Sequence, residues 1–183
     1  VQAREESVDM SAKLIIDMGR IKPQGQSSIR CSYKHHPENK GFDAVLEMVR
    51  FSLICRRCES APCVAACPRK ALEKVPDAAT GHGILRRAHM LCTGCGTCAL
   101  ACPFGTVYDD LMPFASSVCD LCKDRLGDDE MPLCVRTCEG GEVEYRQAEP
   151  GGDLVAITES ILARVAEGST WRPVLRDTQE ARK

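Results

Sequence analysis

Aromatic side chains are scarce: one Trp, three Tyr and four Phe in 183 residues, 4% of the chain. A core built on large rings is thereby excluded, and something else must hold the chain together. No apolar run reaches the roughly 18 residues a helix needs to cross a bilayer. The opening VQAREESVDM has no basic stretch leading into an apolar one, so export under a signal of its own is not expected. The expected compartment is the cytoplasm, whose reducing conditions favour thiols over disulfides. Positive charge is not in excess: 24 Lys and Arg against 26 Asp and Glu give a formal charge of −2 and leave no basic footprint for nucleic acid. A Walker loop, a G-x-G-x-x-G after a strand and a prominent Ser/His/Asp arrangement are all missing.

What the chain has instead is cysteine, thirteen of them. An odd count disfavours complete disulfide pairing, and metal can replace part of a small core. Twelve fall in three groups of four. Cys55, Cys58, Cys63 and Cys67 read C-x2-C-x4-C-x3-C-P; Cys92, Cys95, Cys98 and Cys102 read C-x2-C-x2-C-x3-C-P; Cys119, Cys122, Cys134 and Cys138 read C-x2-C-x11-C-x3-C. The thirteenth, Cys31, stands alone in IKPQGQSSIRCSYKHHPE. Short apolar segments between the groups read as strands: KLIID at 13–17, GILRRA before Cys92, TVYDDL after Cys102 and GEVEYR after Cys138. One stretch reads as a full helix, DLVAITESILARVAEG, with Asp153 as N-cap, Leu154, Ile157, Ile161, Leu162 and Val165 as its stripe and Gly168 past its end. The tail 169–183 is polar, with Trp171 and Pro173 as anchors. The expected fold class is α+β, with cysteine loops and short helices between small hairpins.

A zinc site takes four ligands around one ion. A C-x2-C-x2-C loop presents three thiolates at short, equal spacing, which suits three corners of an iron–sulfur cubane. C-x2-C-x2-C-x3-C-P is the bacterial ferredoxin run, in which the fourth cysteine serves the other cluster. Cys92 to Pro103 matches it in full, and Cys55 to Pro68 is the same run with a longer second spacer. Trading fourth ligands gives one cluster on Cys55, Cys58, Cys63 and Cys102 and a second on Cys92, Cys95, Cys98 and Cys67.

These runs resemble the four-cluster ferredoxin-type electron-transfer subunits of oxidoreductases, of which the dimethyl sulfoxide reductase B subunit is a familiar member. The resemblance covers residues 12 to 147 and implies four nested cysteine groups, the second paired with the third and the first with the fourth. Cys31 corresponds to the last cysteine of the first group. Counting back, Ile21, Gln24 and Ser27 stand where its other three thiolates belong. By the swap rule Cys31 completes a third cluster with Cys119, Cys122 and Cys134, and Cys138 is a spare buried thiol. The alternative is a local third cluster on Cys119, Cys122, Cys134 and Cys138 with Cys31 spare.

The resemblance implies two nested ferredoxin-like modules. The outer comprises residues 1–50 and 112–150 and has lost one of its two clusters; the inner is 51–111; residues 151–183 form a C-terminal helix and tail. Three [4Fe-4S] clusters on twelve thiolates would move the formal charge from −2 to about −8. Arg56, Arg57 and Lys123, beside cluster cysteines, are candidates for raising a local potential, or are simply solvated charges. His35, His36, His82 and His89 read as surface or structural residues. With every iron held by thiolate, the chain is expected to carry electrons without a catalytic centre of its own, which implies a large catalytic partner and a ferredoxin or other redox protein. Within the family, the truncated first group is similar to small subunits of tungsten or molybdenum pterin enzymes of the aldehyde oxidoreductase type, class II benzoyl-CoA reductase included, in anaerobic metabolism. Alternatives are the equivalent subunit of a carbon monoxide dehydrogenase, hydrogenase or formate dehydrogenase, a free-standing polyferredoxin, or a zinc-binding structural module.

Overall fold

The computed structural model describes residues 12–22, 28–33, 40–76, 81, 83–107, 119–122, 124–127 and 130–166. Its central element is a 16-residue helix, α1 (Phe42–Arg57), buried around most of its circumference by Phe42, Val45, Leu46, Met48, Val49, Phe51 and Leu53 among others. The segment has no internal Gly or Pro and is rich in helix formers. Its apolar residues lie all round instead of in a stripe, so the amphipathic signature that normally announces a helix is weak. Each large apolar side chain buried there contributes about 1.5–3 kcal/mol.

Against this helix lies a four-stranded sheet in the order β4-β1-β6-β5, made from β1 (Lys13–Asp17), β4 (Val143–Arg146), β5 (Leu154–Ala156) and β6 (Ile161–Arg164). β1 runs antiparallel to β4 and parallel to β6, while β5 and β6 form an antiparallel hairpin. Leu14 and Ile16 of β1 and Ile161 and Ala163 of β6 enter the main core, and Ile15 and Leu162 pack with Ala156 on the opposite face. Two covered faces explain why the central strands read as continuous apolar runs. A second, two-stranded sheet pairs β2 (Leu72–Pro76) with β3 (Gly83–Arg87) and lies beside α1.

The expected strands at 13–17, before Cys92 and after Cys138 are formed as β1, β3 and β4. The helix expected over 153–168 is not: residues 154–164 are the β5–β6 hairpin. Its apparent helical stripe mixes the sheet's two faces, since Ile157, Ile161 and Val165 join the main core while Leu154 and Leu162 pack on the opposite face. The turn between them is closed by Thr158, whose Oγ1 accepts from the backbone N–H groups of Ser160 and Ile161 at 3.3 and 3.1 Å. Asp153 does not cap a helix; its carbonyl accepts from Val165 N–H at 2.8 Å. The separate C-terminal unit drawn at residue 151 is corrected accordingly, since β6 lies between β1 and β5 in the larger sheet. Of TVYDDL, Thr106 and Val107 are buried but not in a strand, and 108–111 lie outside the described residues. Gly168, Trp171 and Pro173 also lie outside them.

Candidate metal centres

Each cysteine group places its third member in a one-turn helix: Cys63 in α2 (Pro62–Ala65), Cys98 in α3 (Thr97–Ala101) and Cys134 in α4 (Leu133–Arg136). Four residues on, the chain has left the turn, so the fourth cysteine heads elsewhere. Cys63 lines a cavity together with Cys55, Cys58 and Cys102, the last of these coming from the other run. Cys98 lines a second with Cys92, Cys95 and Cys67. Each of these two cavities thus brings together thiols from both ferredoxin-like runs.

A third cavity is lined by Cys119, Cys122, Cys134 and the remote Cys31. Several contacts hold the Cys31 arm there. Arg30 N–H donates to Thr137 Oγ1 at 2.9 Å, Arg125 Nε donates to Ser32 Oγ at 3.3 Å, and the Arg125 guanidinium lies 5.6 Å from the Tyr33 ring centroid. Arg125 is itself fixed by a bidentate pair with Asp120 at 2.7 and 2.8 Å. Cys138 lines none of the three cavities; its Sγ donates to Glu142 Oε2 at 2.8 Å, and Gly140 N–H donates to the same oxygen. Of the residues standing where the first group's thiolates would be, Ile21 is half-buried against the core, and Gln24 and Ser27 lie outside the described residues.

The three spaces are alike, about 310, 410 and 340 Å³ including their open mouths. Among the described residues no three His, Cys, Asp or Glu side chains converge closely enough for one metal ion. A lone zinc would draw four sulfurs to about 2.3 Å from a single centre; here four thiols surround a space. Backbone N–H groups point at the sulfurs, Leu85 to Cys55 and Ala71 to Cys67 at 3.3 Å each, Tyr33 to Cys31 at 3.4 Å and Leu121 to Cys119 at 3.5 Å. Such donors stabilise thiolates on an anionic cluster. The residues present fit cubanes.

A family model described as a 4Fe-4S dicluster domain matches residues 46–148, more than half of the chain. The chain belongs to the 4Fe-4S dicluster domain family. Its prosthetic groups are therefore [4Fe-4S] clusters, and its chemistry is iron–sulfur electron transport. It is 38% identical over 87 residues to the chlorate reductase subunit beta of Ideonella dechloratans, which covers 48% of this chain and 25% of that one. Over 124 residues it is 31% identical to the thiosulfate reductase electron transfer subunit of Salmonella typhi, 67% of this chain and 61% of that one. Over 110 residues it is 29% identical to the B subunit of the anaerobic dimethyl sulfoxide reductase of Escherichia coli, 58% and 51%. The chain thus spans less than two thirds of the length of each of these relatives.

In this dicluster-family chain the thiols of Cys31, Cys119 and Cys134 at the third site are hard to ionise. Burial, reinforced by neighbouring sulfurs, pushes Cys134 up to about 12, and burial pushes Cys119 up to about 11. Metal binding at these positions therefore displaces protons. Cys102 goes the other way: burial opposes its ionisation, but hydrogen bonds from the Thr106 and Phe104 backbone outweigh it. Exposed Cys95 is also lowered, chiefly by the Thr97 hydroxyl.

The charged neighbours differ from expectation. Arg56 is buried and donates to the carbonyls of Ala156 at 2.6 Å and Ile157 at 3.0 Å, so it ties α1 to the β5 end. Arg57 is exposed and Lys123 lies outside the described residues. One cation that reaches a cavity sulfur was passed over by sequence reasoning: Lys74, whose Nζ lies 3.5 Å from Cys55 Sγ. Its position in a strand 19 residues downstream gives no local signal. His89 is exposed, while His35, His36 and His82 lie outside the described residues.

Proposed function

We propose that the chain relays single electrons through three [4Fe-4S] clusters between a catalytic subunit and a second redox protein. The observation that carries this reading is the recurrence of one arrangement: three cavities of similar size, each lined by four thiols drawn from two different segments. The ligand sets are Cys55, Cys58, Cys63 and Cys102; Cys92, Cys95, Cys98 and Cys67; and Cys119, Cys122, Cys134 and Cys31. The engagement of the Cys138 thiol with Glu142, and its absence from every cavity lining, favour Cys31 as the fourth ligand of the third set. Four thiolates per cubane leave no iron open to substrate, so the chain conducts and a partner performs the bond chemistry.

The inner module holds the first two clusters and the outer module the third, its fourth cluster lost with the first group's thiols. The first and third sites touch opposite ends of α1, at Cys55 and Val45, about 15 Å apart along the helix axis. The partner is a molybdenum or tungsten pterin oxidoreductase. Relatives named as subunits of chlorate, thiosulfate and dimethyl sulfoxide reductases support the partner class, and the truncated first group supports its aldehyde oxidoreductase or benzoyl-CoA reductase branch. Among the described residues no helix is long and apolar enough to cross a membrane. The reading is tested by metal analysis of the complex that co-purifies with the chain under argon. Tungsten or molybdenum in excess over nickel is expected. Nickel without either contradicts the partner class, and an iron-loaded chain that purifies alone makes it a mobile polyferredoxin.

A further inference from the structure

The β2–β3 hairpin aims two donors at one sulfur. Lys74 and Leu85 are directly paired across it; Leu85 N–H donates to Cys55 Sγ at 3.3 Å, and Lys74 Nζ stands 3.5 Å from the same atom. Lys74 is anchored as well as aimed, because its ammonium also donates to the Cys55 carbonyl. That carbonyl belongs to the last turn of α1, the negative end of the helix dipole, which faces the first site and opposes added negative charge. Arg56, the nearest guanidinium in sequence, donates to the carbonyls of Ala156 and Ile157 and does not line the first cavity. Room for the lysine stem comes from the diagonal position: a Cβ on Gly83 would stand 3.3 Å from Lys74 Cε and 3.8 Å from its Cβ.

We propose that Lys74 is a positioning residue for the electron itself, raising the reduction potential of the centre on Cys55, Cys58, Cys63 and Cys102. Reduction adds one electron, delivered by the redox partner, and takes a cubane with its four thiolates from about −2 to about −3. An ammonium fixed beside one ligand sulfur attracts the reduced form more strongly than the oxidised one. Its partial burial keeps that attraction from being fully screened. Lys74 lines the first cavity and neither of the other two, so its effect is largest at one centre.

The proposal rests on the ligand sets given under Proposed function. The experiment is an anaerobic redox titration of the iron-loaded full chain followed by electron paramagnetic resonance, with Lys74→Met, Lys74→Arg and Gly83→Ala beside the wild type. Lys74→Met is expected to lower one midpoint and leave the others in place; Lys74→Arg restores most of it, and Gly83→Ala, which crowds the stem but keeps the charge, gives a smaller drop. Three unmoved midpoints, or three that fall together, would overturn the role of Lys74. If Lys74→Met loses iron, Gly83→Ala decides: a drop at one centre supports the proposal and an unchanged midpoint overturns it. A wild type with fewer than three titrating centres marks a failure of the ligand sets, not of Lys74.

Discussion

The Cys138 sulfur donates to the Glu142 carboxylate across 2.8 Å. Burial, and then the carboxylate it serves, push this thiol above its ordinary range. The thiolate is the nucleophile, so a raised thiol reacts slowly at neutral pH and faster as pH rises. In the iron-loaded chain, iodoacetamide should label one cysteine, at Cys138, with a rate that climbs through alkaline pH. Glu142→Gln should quicken the labelling at pH 8. Peptide mass spectrometry makes the check, and label at Cys31 instead would favour the local third cluster.

Arg56 is predicted to matter for stability and not for potential. Replacing it by Met leaves the carbonyls of Ala156 and Ile157 without their charged donor in a buried setting, at a cost of about 3 kcal/mol. The Tm of the iron-loaded chain should fall by roughly 6–12 °C, measured by calorimetry under argon. The midpoint potentials should stay where they are.

The same residue shows where the sequence was legible and where it was not. The cysteine spacings carry the proposed sites, because a cubane demands thiolates at set intervals and the one-turn helices release the chain after residue i+3, so that the fourth thiol lines the other run's cavity. KLIID was equally plain, since a short apolar run buried on both faces has no competing pattern. DLVAITESILARVAEG misled because a hairpin with apolar residues on both faces of the sheet placed them at helical intervals, and only the pairing of β6 with β1 separates the alternatives. α1 was hidden for the opposite reason: buried all round, it lacks a stripe. Arg56 turned away from the cluster cysteines beside it, and Lys74 was passed over, because adjacency in sequence does not say which way a side chain points.

Arg164 ties the larger sheet together electrostatically. Its guanidinium donates to Glu144 at 2.8 and 3.2 Å, and this holds the Glu144 carboxyl down to about 2. A carboxyl lowered on folding contributes its full stability above its unfolded value, about 4.3, and loses it as pH falls toward 2. Because the pair is partly solvated, the contribution is at most about 1 kcal/mol. Glu144→Gln should therefore lower Tm by a constant small amount from pH 8 down to pH 5, and the gap should narrow at pH 4. A gap that widens on acidification would contradict the assignment.

The central claim is three [4Fe-4S] clusters, the third completed by Cys31. Its most direct test is the count of iron and acid-labile sulfide per chain, under argon, in the wild type, Cys31→Ser and Cys138→Ser. About twelve of each are expected in the wild type and in Cys138→Ser, and about eight in Cys31→Ser. Full loading of Cys31→Ser with loss in Cys138→Ser would contradict the ligand set of the third site, and about eight in the wild type would contradict the third cluster itself.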